Sequence, residues 1–172
     1  MNEKFIKTLA VTGLIIGGLF GMVGSFVPSA SLRGLAWGLD GVGLIMACSL
    51  LTFHFFRKGY DILAAGFFIF TIGECLILSS NTPDLNENVS LFGAGTCLWA
   101  TSLILISLQN FFPKLIRLTG VFAALLFFII SIQIFTGNSI NALTKPLPFY
   151  AYPFFAITIF GWAWKLLKRK SF

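Results

Sequence analysis

A chain of 172 residues that is 57% hydrophobic and only 10% charged, with a mean hydropathy of +0.91, lacks the charged surface of a water-soluble domain, where about 25% is usual. The formal charge of +6 comes from twelve basic against six acidic residues. In a soluble protein that excess would suggest nucleic acid; here it must first be sorted by side of a membrane, and it leaves no nucleic-acid partner to explain.

Apolar runs of about 20 residues can each cross a hydrocarbon layer of roughly 30 Å as a helix. Six such runs occur, at 9–27, 35–56, 62–80, 89–108, 118–137 and 146–164. A membrane β-barrel needs segments of alternating polarity, and "VFAALLFFIISIQIF" does not alternate. The links "PSASLR", "FRKGYD" and "NTPDLNEN" are too short to fold by themselves. The expected architecture is an all-α polytopic membrane protein: one domain over residues 1–172, a six-transmembrane-helix bundle.

The first run follows Lys4 and Lys7 and ends in the small-residue sequence "VPSAS", the outline of a secretory signal. Its apolar part exceeds the usual 7 to 15 residues of such signals, so it reads as a retained span, with a cleaved five-helix form as the alternative. Gly13, Gly17 and Gly21 recur every fourth residue, and Gly24 continues the face. Between helices in lipid, small residues permit the close backbone approach that supplies dispersion contacts. The stripe therefore predicts a packing face, toward a neighbouring helix of the same chain in preference to a second copy or another membrane protein.

In the second run Asp40, Gly43, Ala47 and His54 share one helical face. The third run places Thr71, Glu74 and Leu78 together, and the fourth places Gly93, Thr96, Cys97, Ala100 and Thr101. Trp99, near the middle of its span, carries an indole N–H that prefers a partner, although plain packing accounts for the ring. "FFRK" at 55–58 and "FFPK" at 111–114 hint at a hairpin repeat, too short to establish one. The last run opens "KPLPFYAYPF", where Pro146, Pro148 and Pro153 lack backbone N–H groups. This predicts a helix that starts late or bends at Pro153 and leaves an irregular pocket at that rim. Tyr150 and Tyr152 fit one aromatic belt of the membrane, Trp162 and Trp164 the other.

With the amino terminus placed in the cytoplasm, Lys4, Lys7, Arg57, Lys58, Lys114, Arg117, Lys165, Lys168, Arg169 and Lys170 fall inside, and only Arg33 and Lys145 outside. That asymmetry predicts a cytoplasmic (plasma) membrane location with both termini cytoplasmic. The basic tail also suits anionic headgroups of the lipid bilayer.

The two acids inside apolar runs demand an account. Counted from the predicted span ends, Asp40 and Glu74 lie at one level, roughly 8 to 9 Å deep, on spans joined by a short turn and therefore adjacent and antiparallel. No lysine or arginine shares that depth, and Arg33, seven residues before Asp40 on the same face, reaches only part of the way. Two carboxyls so placed share one proton. Three roles fit: a neutral carboxyl bonding helices together through Thr71, Thr96 or a backbone carbonyl; a proton or cation site on a transport path; or a pocket for the polar group of a small, lipid-like ligand.

Other chemistry finds little purchase. One histidine, His54, excludes a bis-histidine haem, and Cys48, Cys75 and Cys97 show no C-x-x-C spacing. Two acids are too few for a calcium cage of six to eight oxygens. Asp61 suits pairing with Arg57 or Lys58. No phosphate-binding, zinc-protease or serine-hydrolase motif occurs; no cofactor, metal or catalytic residue is expected, and the chain does not read as an enzyme. "NVS" at 88–90 matches a glycosylation acceptor, a triplet common by chance. The expectation is a membrane-embedded binding or transport protein centred on Asp40 and Glu74, with Thr71 and Thr96 as partners. The alternative is a non-catalytic accessory or structural subunit packing through Gly13, Gly17, Gly21 and Gly43.

Overall fold

The computed structural model describes residues 3–82 and 84–168. Arg169 and Lys170 of the basic tail lie outside the described residues, as does Pro83. Six helices follow in order: α1 (Glu3–Phe26), α2 (Ala30–Arg57), α3 (Asp61–Ser80), α4 (Val89–Leu108), α5 (Lys114–Phe135) and α6 (Leu147–Lys168). No strand occurs among the described residues.

Each helix packs on its neighbour in sequence, and α6 returns to α1, so the bundle is a closed ring. Lys7 Nζ donates to the Leu167 carbonyl at 3.2 Å, bringing the first and last helices together at one rim. We call this the terminal rim and its opposite the far rim. Large apolar side chains cover the outside of the ring: Leu35, Val42, Phe53, Phe56, Leu115 and Ile132 are each more than half exposed. An apolar exterior this broad suits lipid and not water.

Five helices, α1 to α5, are long and apolar enough to cross a membrane. The sixth differs from expectation. It has 22 residues, but Pro148, Pro153, Tyr150, Tyr152, Trp162 and Trp164 dilute its hydropathy. Nor does it start late: α6 begins at Leu147, directly after the cis Lys145–Pro146 peptide, and continues through Pro153. Tyr152 and Trp162, expected in the belts, are buried, whereas Tyr150 and Trp164 are exposed. Rim position fixes depth, but rotation about the helix axis decides facing, and Tyr152, Phe155, Ile159, Trp162 and Leu166 form one inward face.

Two helix ends owe their sharpness to glycine. After α2, Gly59 adopts φ +75°. Its N–H bonds to Phe56 O at 3.1 Å while Tyr60 N bonds to Phe55 O at 2.9 Å. After α5, Gly137 at φ +101° repeats the pattern, with Gly137 N to Ile134 O at 3.0 Å and Asn138 N to Gln133 O at 2.9 Å. Both are Schellman motifs, which satisfy the last carbonyls of a helix and need a left-handed residue. The Tyr60 and Phe55 rings, edge to face at 6.1 Å, supply the accompanying apolar contact. α4 ends differently: Arg117 of α5 donates to the Ser107, Leu108 and Asn110 oxygens.

The far rim is set by an overhang. Ser29 caps α2, its hydroxyl accepting from Leu32 N at 3.5 Å, so α2 starts at Ala30 and runs for 28 residues, five residues before its apolar run. At 1.5 Å per residue α2 is about 42 Å long against about 30 Å for the 20 residues of α3. A pocket of about 490 Å³ stands where α2 outruns α3, lined by Ser31, Arg33, Trp37, Asn81, Thr82 and Leu85.

Candidate carboxyl site

The ring brings Asp40 of α2 and Glu74 of α3 together in the interior; they are 8% and 1% exposed, and the charge of Glu74 acts on Asp40. A methyl group placed on Gly41 would stand 3.4 Å from Glu74 Oε1, so the backbone beside Asp40 abuts the second acid. The longer α2 alters the depth: Asp40 lies ten residues, about 15 Å, from the start of its helix, and Glu74 six residues, about 9 Å, from the end of its own. With about 12 Å of α2 projecting past α3, Asp40 lies about 3 Å and Glu74 about 9 Å below the end of α3, so the acids are offset by about one turn and not at one level as expected; Gly41 packs on Leu78, and the longer Glu74 side chain reaches back to it.

Glycines of α1 make the room for Asp40. A Cβ on Gly21 would stand 2.8 Å from Asp40 Oδ2, and one on Gly17 3.2 Å from Oδ1. One turn toward the terminal rim, a Cβ on Gly13 would meet Ala47 Cβ at 2.9 Å, and one on Gly43 the Gly13 carbonyl at 2.9 Å. The stripe thus packs on α2 of its own chain. Toward the far rim Gly24 lies against Trp37, whose indole N–H donates to Gly21 O at 3.3 Å. The Arg33 guanidinium sits over that indole, 5.7 Å from the ring centre. Trp37 and Arg33 therefore close the site from above, and Arg33 is engaged with the ring.

Neither Thr71 nor Thr96 bonds to an acid. Thr71 donates to Phe67 O at 3.0 Å. Thr96 is turned toward α5, with Ser131 Oγ at 2.9 Å and Gly93 O at 3.0 Å. The groups that do face the acids are Trp99 of α4, which acts on Glu74, and Tyr152 of α6, which senses both carboxylates. Yet Glu74 Oε2 and Trp99 Nε1 are buried without a hydrogen-bond partner. An unpaired polar atom inside a bundle is costly, roughly 1 to 3 kcal/mol, so its persistence calls for a reason. Sequence reading found Trp99 but placed Tyr152 at the surface; the inward face of α6 was the available signal.

Below Glu74 the interior is filled by rings. Trp99 stacks on Phe155 at 4.6 Å, and Phe70 stacks on both, at 6.1 and 5.7 Å. Trp162 meets Phe67 at 5.2 Å in the next layer, and Phe55, Phe67 and Phe111 continue to the terminal rim. The remaining opening is a narrow cleft of about 10 Å³ beside Asp40, lined by Gly17, Gly18 and Gly21 of α1 and by Tyr152 and Ala156 of α6. That volume suits about one water-sized group.

Among the described residues no three of His, Cys, Asp or Glu gather in a way that could hold a metal ion. Cys48 is buried, Cys75 exposed and Cys97 half-buried, all as free thiols. Near the terminal rim Lys58 pairs with Glu3 at 2.9 Å instead of with Asp61, and His54 is buried beside Arg57 and Lys58. No known protein family, curated protein or solved structure matches this chain.

Proposed function

We propose that the protein is a small integral membrane protein that binds and carries protons through the Asp40–Glu74 pair, in a cytoplasmic membrane with both termini inside. One observation carries this reading: two carboxyls on adjoining helices are buried within range of each other's charge, and Glu74 Oε2 has no hydrogen bond. Acids used only to join helices would close such bonds. Ionisable groups kept at membrane depth without them are typical of proton paths. The free volume beside Asp40 suits a proton or one water and not a hydrated cation. The orientation rests on the basic side chains gathered at the terminal rim, with Arg33 and Lys145 at the far rim. Carriage, not catalysis, is the proposed role.

The aromatic layers below Glu74 close the interior toward the terminal rim in this conformation. Carriage therefore requires those rings to part, and alternating exposure of the pair fits better than an open pore. The accessory-subunit reading gains nothing from the glycine stripe, because α2 of the same chain fills it.

The test is a pH-gradient-driven flux measurement in proteoliposomes. Asp40→Asn and Glu74→Gln should each reduce flux to the protein-free rate while the proteins still elute as folded particles. Wild-type flux in both variants would overturn the proposal.

A further inference from the structure

The Trp37–Gly21 bond and the Arg33 guanidinium close the acid pair toward the far rim, and the stacked rings of Phe70, Trp99 and Phe155 close it toward the terminal rim. A narrow cleft beside Asp40 lies between two helices of the ring wall. Its walls belong to α1 and α6, two helices adjacent in the ring, and Asp40 of α2 stands behind them. Gly17, Gly21, Met22, Phe155, Ala156 and Ile159 offer no polar side chain to it; the polar side chains of its lining are Asp40, on the helix behind those walls, and Tyr152. Asp40 is more than nine-tenths buried, and among the described residues its carboxylate makes no hydrogen bond.

Apolar walls ending in a few convergent polar groups are the anatomy of a small-molecule site. A file of water needs polar partners along its length, and this passage has them only at its end. We infer that Asp40 is reached from within the bilayer, through the α1–α6 cleft, by an uncharged, apolar-bodied molecule with one hydrogen-bonding group at its tip. The cleft takes the tip beside Asp40 and Tyr152, while the body remains in lipid. Gly17, Gly18 and Gly21 are then needed for passage as well as for packing: a Cβ on Gly18 would already meet the edge of the Phe160 ring at 3.0 Å. Met22 is a flexible side chain in the cleft lining, and its proposed role is to narrow the passage.

The inference rests on the reading of Asp40 as a proton-bearing carboxyl, and carbodiimides test both properties. The carboxyl O–H adds across one C=N bond of the reagent to form an O-acylisourea, which rearranges to a stable N-acylurea retaining every atom of both reactants. Proteoliposomes are treated with membrane-soluble N,N′-diisopropylcarbodiimide or with a cationic, water-soluble carbodiimide, and the modified residue is read by peptide mass spectrometry. The soluble-in-lipid reagent should modify Asp40 at least about tenfold faster than the charged one, which apolar walls exclude. Met22→Ala should accelerate that reaction and Ala156→Leu should slow it. Equal rates for the two reagents, modification of another carboxyl in place of Asp40, no modification, or indifference to Met22→Ala would each overturn the inference. Labelling without flux would sink proton carriage and leave lateral access standing; flux without labelling would do the reverse.

Discussion

Two buried polar clusters lie in seams on either side of the α3–α4 contact and differ in one respect. Between α4 and α5, Thr96 Oγ1 and Ser131 Oγ lie 2.9 Å apart, and Ser131 also reaches Gly93 O at 3.1 Å and Phe127 O at 2.9 Å. Both hydroxyls of that cluster are bonded; Ser107 Oγ, nearer the terminal rim and against Gly120 of α5, is buried without a partner. Between α2 and α3, Asp40 and Glu74 are also buried, yet Glu74 Oε2 and the nearby Trp99 N–H remain unbonded. The first cluster joins helices and is spent on doing so. The second keeps hydrogen-bonding capacity unused by protein groups, and capacity of that kind is what the proposed proton carriage needs. Burial alone therefore does not separate the two clusters, whereas completeness of hydrogen bonding does.

Four substitutions probe that contrast, in falling order of expected effect. Gly17→Leu drives a side chain into Leu44 and the Asp40 carboxylate. Overpacking of this kind costs about 1 to 3 kcal/mol or more, and here it should move most of the protein into aggregates on size-exclusion chromatography. A monodisperse Gly17→Leu protein melting like wild type would refute the tight α1–α2 seam. Ser131→Ala opens the completed cluster and should lower stability by roughly 0.6 kcal/mol, at most about 1.7, with flux untouched; a flux defect would move function to the wrong seam.

Asp40→Asn has the opposite profile. Because Asp40 has no hydrogen bond to lose, its stability in a detergent melt should stay within about 1 kcal/mol of wild type while flux disappears. A large destabilisation would mean that the acid pair holds the fold together. The smallest change is expected for Trp99→Phe, which keeps the ring stacked on Phe155 and removes an N–H that faces Glu74 without closing a hydrogen bond of good geometry. Melting should shift by less than about 0.5 kcal/mol, and a clear loss would show that the indole is bonded to Glu74 in the membrane.

Much of this was legible in the chain. Long apolar runs and short links specify the helices and their antiparallel order, because a backbone in an apolar phase must satisfy its own hydrogen bonds. The spacing of Gly13, Gly17 and Gly21, and of Asp40 and Gly43, specified faces that meet in the ring. What escaped was mostly rotation and partnership across the bundle. Thr96 lies near Glu74 in predicted depth, but its orientation is set by Ser131, 35 residues away on another helix. Tyr152 and Trp162 looked like interfacial aromatics until their spacing with Phe155, Ile159 and Leu166 was taken as one inward face. The start of α2 was missed although Ser29 is a residue type that caps helices, because the apolar run was allowed to define the helix.

The closure of the ring by α1 on α6, with Lys7 held to Leu167 O at 3.2 Å, has a consequence for topology. A ring of helices has no privileged first member. With its first and last elements side by side, the same packing is open to a circular permutant that links them and is cut instead in the 81–88 connection, since permutation is tolerated where chain ends are close. The order in which helices are written into the chain and the order in which they touch are, in this architecture, separable.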